Sequence, residues 1–225
     1  PYFFILSFCV FIKIARTGVF KKFSDTLIFS KKINLVFKFI NYIFCRRDKV
    51  NIGYNLLNCL IGLGPGYIKF GQALSTRPDL LGQKTCEYLQ KLQDDIKPFP
   101  GSVAKKIFEH EIECPIEKIF RNFNEIPIAT ASVAQVHTGT LENGNKVAIK
   151  LLKPNIEKLL FKDFMFFYWI SRCFEFLIPK VKRLKLSKNV EVLSEISLNE
   201  LDLTMEASAA DELAENFKDH SKYRV

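Results

Sequence analysis

The feature that most constrains the fold is a change of hydrophobic period near residue 122. Beyond it, three stretches alternate in polarity or are rich in β-branched residues, as strands are: residues 123–128, 133–141 and 146–152. The connection between the last two contains Asn143-Gly144, the strongest short signal for a hairpin turn. Pro154 ends the run because proline cannot donate to a strand ladder. We therefore predict three antiparallel strands closed by a tight hairpin.

Helical spacing dominates on both sides of this strand block. Apolar residues recur at three and four positions, and Pro or Gly separates successive segments. The pattern predicts an α+β fold in which a helical N-terminal extension precedes a small antiparallel sheet with further helices. The predicted helices cover residues 1–12, 31–47, 50–62, 67–74, 87–93, 101–110, 115–120, 155–178 and 189–218.

The stretch of residues 64–79 contains a short helix with an unexpected glycine. Pro65 suits the first turn of a helix, and the apolar face is formed by Tyr67, Phe70 and Leu74. Gly71 in the helix interior costs roughly 1 kcal/mol relative to alanine, so it predicts close packing or close approach of a ligand. The alternative is an ordinary amphipathic helix with an incidental Lys and Gln.

Positive charge is concentrated at the N-terminus. Residues 1–50 hold ten Lys/Arg and two acidic residues, whereas residues 51–225 are nearly balanced, with 23 and 22. A basic, Phe-rich segment favours an anionic membrane surface, where each Lys or Arg gains about 1 kcal/mol. Nucleic acid is excluded as the preferred partner because the segment has no recognised binding motif. The alternative to membrane contact is that residues 1–12 and 31–47 form two core helices whose basic side faces solvent.

Cysteine and histidine spacing argues against a metal site. The six cysteines are scattered without a C-x-x-C pair, and the three histidines lie far apart in the sequence. Scattered, unpaired cysteines are typical of proteins whose thiols stay reduced in a cytosol-like compartment.

The strand block also carries a nucleotide-site pattern. Residues 129–135 are mostly small, and the third strand contains Val147-Ala148-Ile149-Lys150. A triphosphate needs a loop without bulky side chains and a lysine on a rigid strand, as in the N-lobe of protein kinases. A plain hairpin with a solvated lysine is the alternative. A glutamate on a following helix normally orients such a lysine.

Acidic residues cluster at Glu200, Asp202 and Glu206. On a regular helix Asp202 and Glu206 share a face while Glu200 points elsewhere. If Glu200 and Asp202 serve one site, the helix must begin or bend between them. A solvated acidic helix face is the alternative reading.

Four motifs in this order resemble the UbiB family of atypical kinase-like proteins, also called the ADCK family. They are K-x-G-Q at Lys69–Gln72, an alanine-rich loop, the V-A-I-K strand, and E-x-D followed by E-A at residues 200–207. The resemblance implies functional roles for Lys69, Gln72, Lys150, Glu200, Asp202 and Glu206, with Glu206 pairing with Lys150. It also implies nucleotide binding by Ala129, Thr130, Ala131, Ser132, Val133, Ala134, Gln135 and Lys150, with Gly71 permitting close approach to that site.

The resemblance further implies an ATP-binding atypical kinase or ATPase that supports ubiquinone biosynthesis on the cytoplasmic side of a membrane. The expected domains are a basic membrane-proximal segment at residues 1–50, a K-x-G-Q extension at 51–121 and a partial kinase-like N-lobe at 122–225. The expected cofactor is ATP or ADP with Mg²⁺, whose ligands would belong to a C-lobe that this N-terminal fragment lacks. Expected partners are membrane lipid, quinone precursors and other ubiquinone-biosynthesis proteins.

Two other functions compete with the kinase interpretation. One is a membrane-associated scaffold that binds nucleotide without catalysis. The other is a hydroxylase of the quinone ring, which ranks last because the sequence has no G-x-G-x-x-G fingerprint and no metal triad.

Overall fold

The computed structural model describes residues 2–24, 31–44, 51–93, 96–177 and 181–220. The chain forms two compact units, Pro1–Phe166 and Phe167–Val225. Because the units divide within one helix, each is described by itself. Every cysteine in the described residues is a free thiol: Cys9, Cys59, Cys86, Cys114 and Cys173.

Helices make up the first part of the first unit, as the hydrophobic spacing predicts. Their core is built from leucines and isoleucines of the fourth, fifth and seventh helices, which contact one another. The helices are α1 Tyr2–Arg16, α2 Val19–Ser24, α3 Lys31–Phe44, α4 Ile52–Leu63, α5 Pro65–Ser75, α6 Pro78–Leu81, α7 Gln83–Gln90 and α8 Gly101–Ile112.

The junction between α4 and α5 is a sharp turn with a local sequence explanation. Gly64 has a φ of 133°, a left-handed value that favours glycine. Pro65 then occupies the first position of α5, where its missing N–H is not needed. The predicted start of the K-x-G-Q helix is therefore confirmed.

A four-stranded antiparallel sheet follows the helices. Strand β3 is central: β4 pairs along one edge, while β1 and β2 share the other. The hairpin between β3 and β4 turns through Asn143-Gly144, where Gly144 has a φ of 86°. The prediction of this hairpin is confirmed. The strands are β1 Phe120–Phe123, β2 Ala129–Thr130, β3 Ala134–Leu141 and β4 Lys146–Leu152.

The prediction of one strand over residues 123–128 was wrong. The Asn124 side chain accepts a hydrogen bond from the Ile126 backbone N–H at 3.0 Å, and Pro127 has no N–H to donate. A turn therefore interrupts the segment and leaves separate strands β1 and β2. The predicted helix over residues 115–120 is likewise reduced to a 3₁₀ turn at Ile116–Lys118.

One face of the sheet packs on α8. The cluster combines Ala104 and Phe108 of α8 with Phe120, Ile149 and Leu151 of the strands. Burial of such side chains contributes about 1.5–3 kcal/mol each. This anchored face leaves the opposite face of β4 available for a site.

The 22-residue helix α9, Ile156–Leu177, confirms the predicted long apolar helix. In the second unit it precedes α10 (Leu186–Asn199) and α11 (Leu203–Asn216). The prediction of one helix over residues 189–218 was wrong, because Asp202 is the N-cap of a new helix. Its side chain accepts hydrogen bonds from Thr204 N and Met205 N, both at 3.0 Å.

Candidate functional site

Lys150 lies on the exposed face of β4, opposite the core. Burial alternates along this strand, so Ile149 and Leu151 enter the core while Lys150 is exposed. Its cross-strand partner on β3 is Val136. A rigid two-strand ladder therefore holds the lysine on a solvent-facing surface, which is the placement that a phosphate-binding lysine requires.

The small-residue loop forms the turn between β2 and β3. Ala131 N donates to Ala134 O at 2.8 Å, and Lys153 N donates to Val133 O at 2.9 Å. Ser132 and Val133 are each 4% exposed. The loop is thus tight and is anchored on the end of β4, but its role in holding phosphate stays a prediction.

Gln135 points to the other face of the sheet from Lys150. Its amide exchanges hydrogen bonds with the Phe99 backbone, at 3.1 Å to N and 3.3 Å to O. Its Nε2 also lies 2.8 Å from Nε2 of His137, whose Nδ1 is 2.9 Å from Asn124 O. Since the Gln135 amide donates to Nε2, the proton of a neutral His137 sits on Nδ1. This buried network tethers the loop before α8 to the sheet, and sequence reasoning missed it.

The K-x-G-Q helix α5 buries only part of the predicted apolar face: Tyr67 is buried and Leu74 half-buried, but Phe70 is exposed. Lys69 is only 7% exposed, whereas Phe70 is 38% exposed. The Gln72 side chain donates to Leu92 O at 2.8 Å. Tyr67 of the predicted face is buried, but α5 also buries Ile68, Lys69 and Ser75 against its neighbours. A buried lysine is uncommon unless paired, which supports a specific role for Lys69.

Gly71 serves helix packing. A Cβ at this position would lie 2.4 Å from Leu92 Cδ1 and 2.7 Å from Leu60 Cδ1. Of the two explanations for this glycine, close packing is therefore the observed one. Gly71 thus packs against α4 and the segment after α7. Its close approach to a nucleotide stays a prediction.

Asp163 of α9 contacts the K-x-G-Q helix in a way that sequence reasoning missed. Its Oδ2 accepts a hydrogen bond from Gly66 N at 3.0 Å, at the N-terminus of α5. A Cβ at Gly66 would lie 2.4 Å from the Asp163 Cβ, so this glycine admits the carboxyl group. An anion at a helix N-terminus interacts favourably with the helix dipole. Asp163 therefore links α9 directly to the helix that carries Lys69.

Burial raises the pKa of Asp163 to about 6, although the Gly66 N–H and the Lys162 ammonium oppose the shift. The nearby Tyr67 hydroxyl also has a raised pKa, caused first by burial and then by Asp163. The Asp163 carboxyl thus favours the folded state when protonated. Its contribution is present below the unfolded pKa of 3.8 and is lost as pH rises through about 6.

We expect Asp163→Asn to be more stable than the wild type above pH 6, because the variant avoids burying a carboxylate. After allowance for partial solvent screening, the gain is about 1 kcal/mol, and it disappears near pH 4. Urea unfolding at pH 4 to 7.5 measures it. Asp79→Asn is the matched control, and we expect this variant to be less stable than the wild type. The reason is that hydrogen bonding to Arg77 lowers the pKa of the exposed Asp79 carboxyl group. A constant difference between Asp163→Asn and wild type across this pH range would contradict the assignment.

The three predicted acidic residues meet in the second unit. Glu200 lies at the end of α10, Asp202 caps α11, and Glu206 is in its first turn. All three line one depression of about 390 Å³, together with Ile196, Asn199 and Met205. The helix break lies between Glu200 and Asp202, where a shared site requires one. Pairing of these acids with Lys69 or Lys150 stays a prediction.

These observations define a class of protein. A helix-backed antiparallel sheet with a strand lysine behind a small-residue turn is the N-lobe arrangement of kinase-like proteins. The family model for the ABC1 atypical kinase-like domain matches residues 91–225. The chain belongs to this family, which confirms the UbiB/ADCK resemblance.

Curated relatives from bacteria bear the name "Probable protein kinase UbiB". The relative from Erwinia tasmaniensis is 41% identical over 176 residues, which cover 78% of this chain and 32% of the relative. The relative from Shewanella baltica is 43% identical over 158 residues, or 70% and 29%. The chain thus spans about a third of the length of these relatives.

A solved complex of Rv3197 from Mycobacterium tuberculosis with erythromycin is also similar. It is 27% identical, and the match covers 86% of this chain and 46% of the other, with a TM-score of 0.45.

Proposed function

We propose that the intact protein is an ATP-binding atypical kinase or ATPase that supports ubiquinone biosynthesis at a membrane. Membership of the ABC1 family and the UbiB name of its relatives support this proposal. The single observation that carries it is the placement of Lys150 on the exposed face of a rigid strand next to a small-residue turn.

The proposed site assigns Lys150 to the phosphates and Glu206 to the orientation of that lysine. Bound ATP with Mg²⁺ would supply the transferable phosphoryl group, and the metal ligands are expected in a C-lobe. Residues 129–135 would contribute backbone N–H groups. The Gln135 side chain does not fit this role, because its amide is bonded to Phe99 and His137. Lys69 and Gln72 would face Glu200 and Asp202 in a lid over the site.

We also propose the domain division that the sequence predicts. Residues 1–50 would face the membrane, 51–121 would form the K-x-G-Q extension, and 122–225 would form the kinase-like lobe. Expected ligands and partners are nucleotide, membrane lipid or quinone precursors, and other ubiquinone-biosynthesis proteins.

Measuring ATP hydrolysis distinguishes an enzyme from a scaffold that only binds nucleotide. The enzyme reading predicts that the intact protein hydrolyses ATP, and that vesicles with quinone-like phenols increase the rate. Tight nucleotide binding with no hydrolysis under these conditions would favour the scaffold.

Peripheral attachment to a membrane is supported by an apolar stripe on α3, and we propose the cytoplasmic side from the family resemblance. No helix in the described parts of the chain is long and apolar enough to cross a bilayer. The exposed side chains recur at helical spacing on one surface: Leu35, Val36, Phe39, Tyr42 and Ile43. Such a stripe beside basic residues is typical of a helix that lies in the membrane interface.

We expect the double variant Leu35→Gln, Phe39→Gln to lose most of its binding to vesicles containing anionic phospholipid. The two side chains are 69% and 63% exposed, so their replacement removes interfacial area without opening the core. Flotation through a density gradient measures the bound fraction. The control is Ile126→Gln, Ile128→Gln, which replaces two equally exposed isoleucines near β2. Equal flotation of the two double variants would count against attachment through α3.

A further inference from the structure

A second concave site lies in the first unit, beside the small-residue turn. The cleft has a volume of about 790 Å³, within the range of small-molecule sites. Its walls come from α4, the start of α5, the segment after α7, the turn before β3 and the start of α9. Lys150 does not line it. The cleft therefore excludes the proposed nucleotide lysine but borders the proposed nucleotide site, because Ser132 of the small-residue turn lines it.

Most of the wall is apolar. Buried and half-buried side chains of four separate elements form an apolar floor: Leu57, Ile68, Phe99 and Ile156. The exposed side chains of Ile61 and Leu159 line its rim. A hydrocarbon group seated there would gain roughly 25 cal/mol for each Å² of apolar surface removed from water.

Three lysines from different elements converge on the same cleft. Lys91 follows α7, Lys97 lies in the loop before α8, and Lys153 follows β4. No acidic residue lines the cleft among the residues that the structure describes. The described lining therefore combines three cationic side chains with an apolar floor.

Lys153 is the best-placed of the three. It is half-buried, and burial lowers the pKa of its ammonium group. Its backbone N–H bonds to Val133 O, which fixes the main chain at the cleft wall. Within the described ranges, no acidic partner or hydrogen-bond acceptor is found for its side chain. A ligand anion would compensate the desolvation of this ammonium group.

We propose that this cleft binds an amphipathic anion, a hydrocarbon chain with a phosphate or carboxylate head, and that Lys153 contacts the head. The apolar floor favours the chain over a nucleotide, and the three lysines favour an anionic head over a neutral one. The inference does not depend on the nucleotide-binding function of Lys150.

Calorimetric titration of the intact protein with decyl phosphate, below its micellar concentration, tests the site. We expect one molecule to bind per chain, at least tenfold more tightly than decanol. Lys153→Met should weaken decyl phosphate at least tenfold and leave decanol within twofold. Lys146→Met, at the other end of β4, should change neither. Equal affinities for decyl phosphate and decanol, or an unchanged Lys153→Met variant, would overturn the proposal.

A measurement without mutation covers the case in which Lys153→Met fails to fold. Amine acetylation followed by mass spectrometry should show that decyl phosphate protects Lys153 but not Lys146. Absence of protection, or protection of Lys153 by ATP and not by decyl phosphate, would refute the lipid-like ligand. Dodecanoate in the same assay compares the two heads: equal protection indicates that the site accepts either anion, and weaker protection indicates a phosphate ligand. Either result supports an anionic amphiphile.

Discussion

Replacing Gly71 with valine is expected to destabilise the first unit by about 3 kcal/mol, the upper end of the cost of overpacking a core. For a chain of this size, that loss lowers the melting temperature by roughly 6–12 °C. The reason is steric. Even a Cβ at this position would lie 2.4 Å from Leu92 Cδ1, and Leu92 and Leu60 are both buried, so neither can move aside freely.

Gly62→Val provides the matched control. Gly62 lies on the neighbouring helix α4, and a Cβ there would meet no atom within 4 Å. Its replacement should leave the melting temperature unchanged or slightly raised, because glycine is a poorer helix former than valine. Equal melting temperatures for the two variants would show that α5 does not pack against α4 and Leu92 as described. Since Gly71 lies between Lys69 and Gln72, its variant should also disturb both motif side chains.

Sequence reasoning predicted the parts of the fold that depend on local turn chemistry. The hairpin between β3 and β4 follows from Asn143-Gly144, and the start of α5 follows from Gly64-Pro65. It failed where a side chain redirects the backbone. Asn124 closes a turn that splits the expected first strand, and Asp202 caps a new helix within the expected last one.

Contacts between distant segments were beyond sequence reasoning. Asp163 meets Gly66 across 97 positions, and the only local signal was a glycine at the start of α5 without a stated partner. Lys153 carried no signal, because a lysine before a proline is ordinary until an apolar cleft forms around it. The candidate site was predicted as a set of motifs, while its supporting contacts needed three-dimensional structure.

The second large effect is expected at Lys150. Replacement by alanine removes the ammonium group that would bridge the phosphates, and loss of one partner of a close charge pair costs about 2–5 kcal/mol. We therefore expect nucleotide affinity to fall by roughly thirtyfold to several thousandfold. The fold should persist, because Lys150 lies on the exposed face of β4 while Ile149 and Leu151 supply its core contacts.

Lys146→Ala is the control for this variant. Lys146 lies on the same exposed face of β4, about 13 Å further along the strand at the hairpin end, and pairs with Thr140 of β3. It has the same charge and strand environment but lies away from the small-residue turn. Any general effect of lowering the positive charge of the sheet should therefore appear equally in both variants.

The most direct measurement is calorimetric titration of Mg²⁺-ATP into the intact wild-type protein, Lys150→Ala and Lys146→Ala. A kinase-like lobe predicts saturable binding by the wild type, near-wild-type affinity for Lys146→Ala, and affinity lowered by roughly thirtyfold or more for Lys150→Ala. An unchanged dissociation constant for Lys150→Ala would contradict the assignment of β4 and its lysine to a nucleotide site.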